Sequence, residues 1–256
     1  MTEVYLDQMD IHKGNLILIN KDYPLIDQDN RPPLVPLNHK FPELLLEVKA
    51  ASVLSHLLTE LSGSDVILPV SGYRSYYEQK EIYFSSLSEL GLEFTEKYVA
   101  PPGHSEHQTG LAIDLAHLQE QIDFICPDFP YEGICNEFRN KAPDYGFVER
   151  YQSGKEKVTG IAPEPWHFRY VGFPHSRLMH EQNLSLEEYI DYLKDYPSTG
   201  QHLTISHCAH LFEIYYINLS AAVRTRIKLP ENSLYQISGN NVDGIIITLW
   251  RKDNEL

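Results

Sequence analysis

Two short segments, far apart in the chain, set the first requirement on any fold this sequence adopts. Ser105, His107, Gly110, Ala112 and Asp114 form an S-x-H-x-x-G-x-A-x-D run, and Glu164, Trp166 and His167 follow as E-x-W-H. Together they supply two imidazoles, a carboxylate suited to metal ligation and a second carboxylate left over. A hydrolytic zinc site needs this inventory: three protein ligands, a fourth position for water, and a base for that water's proton. His107, Asp114 and His167 are the candidate ligands, one mononuclear zinc per chain. His104, three residues before His107, competes as an alternative ligand.

The local pattern around these residues predicts strands. Leu111, Ile113 and Leu115 alternate with Ala112 and Asp114, which is strand periodicity with the acidic residue on one face. Phe168-Arg169-Tyr170-Val171 reads as a strand ending at Gly172. Glu164 lies between Pro163 and Pro165, which exclude a helix and hold the backbone extended. On a regular strand positions 164 and 167 face opposite sides, so a bend or bulge is predicted there if both serve one site. Glu164 is the candidate general base and acid. Arg74, just before a predicted helix N-terminus, is the leading fixed cation for the oxyanion that develops in peptide hydrolysis. Trp166 is expected to wall the site, whether or not it also meets the substrate.

Elsewhere the chain alternates between helical and extended patterns. Leu16 to Ile19 is predicted as a short buried strand, and Pro24, Pro32, Pro33 and Pro36 mark an extended wrapping segment. Pro42 to Leu61 carries Leu45, Val48, Leu54, Leu57, Leu58 and Leu61 at helical spacing, predicting one long core helix capped by Gly63. Val66 to Val70 predicts a strand. Ser75-Tyr76-Tyr77-Glu78 has capping-box spacing and starts a second helix, on which Gln79 and Tyr83 sit four apart. Helices are also predicted over 132–141 and 175–180, and again from Ser185, where Glu188 completes another capping box.

Pro197 to Gly200 reads as a linker. Beyond it Val223, Thr225, Ile227 and Leu229 alternate with Arg224, Arg226 and Lys228, and a Gly239-Asn240-Asn241 turn precedes Ile245 to Leu249. The expected organisation is therefore a catalytic domain over 1–197 and a small β-rich module over 200–256. The expected class is α+β, an antiparallel sheet with helices on one side carrying the zinc site.

A net charge of −15 across 256 residues argues against a nucleic-acid or anionic-membrane partner, since phosphate contacts need clustered Lys or Arg. Arg224, Arg226 and Lys228 form the one basic stripe, expected to be a solvated strand face that can also meet a diphosphate. Cys126, Cys135 and Cys208 lack C-x-x-C spacing and are expected to be reduced, packed thiols. His202, His207 and His210 lack a matched carboxylate or cysteine pair for a second metal. The N-terminus carries Glu3, Asp7 and Asp10 instead of a basic leader, and a cytoplasmic location is expected.

The motifs SGYR (71–74), SEHQTGLAID (105–114), GFVERY (146–151), GKEKVTG (154–160) and EPWHFRYVG (164–172) resemble those of the VanY and VanX group of zinc D,D-peptidases, which share a fold with the Hedgehog signalling domain. The resemblance runs from about Gly14 to His175 and is nearest the cytoplasmic bifunctional VanXY branch. It implies hydrolysis of the D-Ala-D-Ala dipeptide and removal of the terminal D-Ala from the UDP-MurNAc-pentapeptide wall precursor, hence vancomycin resistance. By the same resemblance His107, Asp114 and His167 are zinc ligands, Glu164 the base and Arg74 the transition-state stabiliser. Gln79, Tyr83 and Ser105 match positions that hold the substrate's terminal residue and its carboxylate.

Three other functions fit parts of the pattern. A non-catalytic zinc domain needs neither Glu164 nor Arg74. A non-haem iron oxygenase also uses two His and one carboxylate, but commonly with H-x-D spacing that His107 and Asp114 lack. A phage-type peptidoglycan endopeptidase requires delivery to the wall.

Overall fold

The structure is a computed structural model; it describes residues 1–256 except 27–31, 63–64, 220–223, 232 and 253–256. It divides into two compact units, Met1–Leu18 with Leu186–Leu256, and Ile19–Ser185. The division falls at 18 and 185, where the sequence suggested a single boundary near 197.

Strand β1 (Thr2–Leu6) belongs to the first unit. The Ile19–Ser185 unit holds β2 (Leu34–Asn38), β3 (Phe41–Glu47), α1 (Val48–Glu60), β4 (Ile67–Ser71), α2 (Tyr76–Glu89), α3 (Leu92–Tyr98), β5 (Ala112–His117), α4 (Gly133–Lys141), β6 (Phe147–Tyr151), α5 (Glu156–Thr159), β7 (Glu164–Tyr170) and α6 (His175–Gln182). Its main sheet has the order β4-β5-β7-β6, antiparallel throughout. A two-stranded ribbon pairs β2 with β3.

The predicted long helix from Pro42 is shorter than expected. Residues 41–47 are strand and the helix begins at Val48, where the Glu47 carboxylate accepts hydrogen bonds from the Lys49 and Ala50 amides. The apolar spacing of Leu44, Leu45 and Leu46 suits either element, and pairing with β2 decides it for the strand. Gly63, the expected cap, lies outside the described residues. Leu54, Leu57 and Leu58 of α1 pack with Ile113, Leu115, Phe138, Phe147 and Phe168 into one core, each buried leucine contributing about 1.5–3 kcal/mol. That core backs the sheet whose strands carry the motifs.

The other unit adds α7 (Leu186–Leu193), β8 (Leu203–His207), β9 (His210–Asn218), β10 (Thr225–Leu229), β11 (Leu234–Gly239) and β12 (Gly244–Lys252). Its four-stranded sheet runs β11-β12-β9-β8, and β1 pairs antiparallel with β10. Leu16 to Ile19 is buried as expected but forms no strand. After Gly14 turns the chain at φ +102, Leu16 N–H donates to Ser238 Oγ and Leu18 N–H to the Asn240 carbonyl, a turn where a ladder was expected. Arg226 of the basic stripe faces Glu3 at 3.5 Å and Arg224 lies over the Tyr5 ring; Val223 is outside the described residues. The three cysteines are free, and Cys208 is exposed, contrary to the packed position expected of it.

Candidate active site

Strand register assembles the site. Asp114 of β5 pairs directly with Ser71 of β4 on one side and with His167 of β7 on the other. Directly paired residues of antiparallel strands project to the same face, so the register lines up a hydroxyl, a carboxylate and an imidazole across three strands. The 3-10 turn over Glu106–Thr109, closed by Gly110 at φ +69, brings His107 to the same place. The predicted irregularity near Glu164 is present: β6 pairs Glu149 with Phe168 and Tyr151 with Glu164, so four steps along β7 match two along β6. The bulge lets Glu164 and His167 serve one cavity, with Glu164 Oε2 3.8 Å from His167 Nδ1.

Ligand atoms of His107, Asp114 and His167 lie within 4.8 Å of one another, and all three residues are buried. The rings are oriented from behind. His107 Nδ1 is 2.7 Å from the Gly72 carbonyl; a carbonyl only accepts, so Nδ1 carries the hydrogen and Nε2 faces Asp114 Oδ2 at 3.1 Å. His167 presents Nδ1 to Asp114 Oδ1 at 2.9 Å, with Nε2 3.4 Å from Glu106 Oε2. Burial, reinforced by Arg74, lowers the His107 pKa and keeps that ring neutral, as a ligand must be. Burial also works against a charged His167, yet hydrogen bonds to Asp114 and Glu106 outweigh it and lift its pKa to about 9. The pocket thus favours positive charge between these groups. Two nitrogens and one oxygen, with a carboxylate to spare, form the donor set of an open zinc site, and the residues fit that ion.

Glu164 differs from the other acids. Burial raises its pKa to about 8, with His167 opposing the shift. In Asp114 burial is overcome by the two imidazoles, and in Glu106 by Arg169 and Arg150, so both are held well below the usual carboxylate range. One carboxyl poised near neutrality beside two fixed anions is the division of labour expected of a general acid and base.

Arg74 leaves β4 through Gly72, where a Cβ would stand 2.5 Å from the Leu45 carbonyl oxygen and only glycine fits. Its guanidinium donates to Asp114 Oδ2 at 2.9 Å, Ser71 Oγ at 2.8 Å and Gln79 Oε1 at 3.4 Å. These groups open onto a cavity of about 410 Å³ also lined by Ser105, Tyr151 and Trp166. Gln79 is buried there, its amide donating to the Ala100 carbonyl. Tyr83 is placed differently from the sequence expectation. The face of α2 on the cavity runs through Gln79, Ile82, Ser85 and Ser86, and Tyr83 stands outside that lining, edge-on to Phe84. His104, the alternative ligand, points elsewhere, with Nδ1 2.8 Å from the Asn20 carbonyl. Sequence reasoning assigned no part to Glu106, Arg150 or Arg169; the available signal was an arginine beside aromatic and aliphatic residues in each of the motifs GFVERY and EPWHFRYVG.

The family model for VanY, D-alanyl-D-alanine carboxypeptidase, matches residues 43–173. The chain belongs to the VanY family. This VanY-family chain is 42% identical over 181 residues, 70% of its length and 95% of the relative's, to the bifunctional D-Ala-D-Ala dipeptidase and D-Ala-D-Ala carboxypeptidase VanXYC of Enterococcus gallinarum. It is 51% identical to the vancomycin resistance D,D-dipeptidase VanXYg solved in complex with a D-Ala-D-Ala phosphinate analog, with a TM-score of 0.95 covering 98% of this chain and 99% of that one. A VanY D,D-pentapeptidase mutant from a VanB-type resistance cassette, solved in complex with Zn(II), is 29% identical with a TM-score of 0.56, covering 69% and 98% of the two chains. No helix among the described residues is long and apolar enough to cross a membrane.

Proposed function

We propose that this VanY-family protein is a zinc-dependent D,D-peptidase. It hydrolyses the D-Ala-D-Ala dipeptide and removes the C-terminal D-Ala from UDP-MurNAc-pentapeptide in the cytoplasm, and so confers vancomycin resistance. The observation that carries this reading is a buried His-Asp-His donor set with the Glu164 carboxyl 3.8 Å from His167, in a chain half identical over nearly its whole length to a D,D-dipeptidase.

His107, Asp114 and His167 would hold the ion, which when bound would supply Lewis acidity toward the scissile carbonyl and toward water. Glu164 takes the water's proton and returns it to the leaving amine, two transfers that suit a carboxyl titrating near neutral pH. Arg74 lies against the ligand carboxylate Asp114 and donates to the carbonyl oxygen as negative charge develops on it. Gln79 and Ser105 position the terminal residue and its carboxylate, and Trp166 closes the wall of the cavity and keeps water out. Tyr83 lies outside the cavity lining, so no contact with the substrate is assigned to it.

Purified protein incubated with the dipeptide and with the nucleotide-linked precursor should release D-alanine from both, stop when a chelator is added, and resume on addition of zinc. Zinc-loaded protein that releases D-alanine from neither substrate would refute the proposal.

A further inference from the structure

Behind His167 lies a cluster of charged groups that neither ligation nor proton transfer uses. The side chains of Glu106, Arg150 and Arg169 are completely buried. Burying three charges is costly and is seldom the most stabilising way to fill a core, so its geometry calls for a reason. Both arginines converge on one oxygen of Glu106: Arg150 Nε donates to Oε1 at 2.8 Å and Arg169 Nη1 lies 2.8 Å from the same atom. The other oxygen, Oε2, lies 3.4 Å from His167 Nε2.

We propose that Glu106 is a positioning residue for the metal site: clamped by Arg150 and Arg169, it accepts the Nε2 hydrogen of His167 and so fixes Nδ1 as the atom offered to the ion. The inference rests on the zinc reading above and deepens it. The two ligand histidines then use opposite nitrogens for different reasons. His107 is set by a backbone carbonyl and presents Nε2; His167 is set by an ionised carboxylate and presents Nδ1. A charged acceptor behind the ring makes it a stronger donor to metal as well as a better-oriented one. The arginines act at one further remove, because without them a carboxylate in that core has nothing to hold its rotamer.

Two variants separate this role from mere filling of the core. Glu106→Asp keeps the charge that both arginines need but withdraws the carboxylate by about 1.5 Å, one carbon–carbon bond; Glu106→Gln keeps the length and removes the charge. Zinc affinity of the full-length metal-free protein is measured by competition with a chromogenic chelator, and the state of each ring by two-bond proton–nitrogen correlation on histidine-labelled protein. The expected result is a zinc dissociation constant raised about 10- to 100-fold in either variant, with the His167 ring of the wild type protonated on Nε2 and bound through Nδ1. Thermal unfolding of metal-free Glu106→Asp should stay near that of the wild type, so the loss is one of metal and not of fold. If Glu106→Gln fails to fold, Glu106→Asp decides alone. Folded Glu106→Asp that binds zinc within twofold of the wild type, or a wild-type His167 bound through Nε2, would overturn the inference. Failure of the wild type to bind zinc at all would overturn both this inference and the proposed function.

Discussion

At the scale of single residues, the two groups assigned to chemistry are separable from those assigned to the ion. Glu164 touches His167 only at 3.8 Å, so Glu164→Gln should keep about one zinc per chain while kcat falls about 100- to 10,000-fold, the usual worth of a positioned acid or base. Metal analysis and D-alanine release on the same sample check this. Arg74→Ala removes a cation from Asp114 and leaves that carboxylate freer to ligate. It should therefore retain zinc while kcat drops about 100- to 1000-fold; loss of zinc in proportion to activity would instead assign Arg74 to the ligand shell. His175 gives a pH dependence of stability. Burial pushes its pKa down to about 3 from an ordinary value near 6.5. As pH falls below about 6.5 the unfolded chain takes up a proton that the folded ring refuses, so stability is lost progressively down to about pH 3, by up to about 1.4 kcal/mol per pH unit. Denaturant titrations between pH 7 and 4 should show that slope, and His175→Gln should flatten it by the equivalent of one proton.

At the scale of elements, what could be read from the chain was what neighbouring residues decide. The helix starting at Ser75 was legible because a capping box is a local device: Ser75 Oγ accepts from the Glu78 amide while Glu78 accepts from the Ser75 amide, as the spacing implied. Ser75→Ala should cost about 1 kcal/mol and lower the melting temperature by about 2–4 °C, with a rise in KM larger than any loss of zinc, because the same turn carries Arg74 and Gln79. The bulge opposite Glu149 and Tyr151 was legible for a different reason, since two groups required at one site cannot lie three apart on an even strand. What depended on a distant partner was not legible. Pro42 to Glu47 has apolar spacing that serves either element and becomes strand only through its pairing with β2. Tyr83 shares a helix face with Gln79 in a strict four-residue count, yet the face that meets the cavity turns toward Ile82 and Ser86.

For the whole molecule, the group of side chains that could hold a metal was suggested by sequence, while the support behind it was not. His107, Asp114 and His167 stand in motifs whose spacing bears on metal binding, whereas Glu106, Arg150 and Arg169 are brought together only by tertiary structure. The limits of the two units were hidden in the same way, because β1 joins β10 across almost the entire chain and no local signal reports such a pairing. The most direct test of the central claim is anomalous diffraction at the zinc edge from crystals of the zinc-loaded protein. One peak about 2.0–2.2 Å from His107 Nε2, an Asp114 oxygen and His167 Nδ1, with the Glu164 carboxylate turned to the open position, is the predicted result. A peak elsewhere, or Glu164 turned out of the cavity, would contradict it.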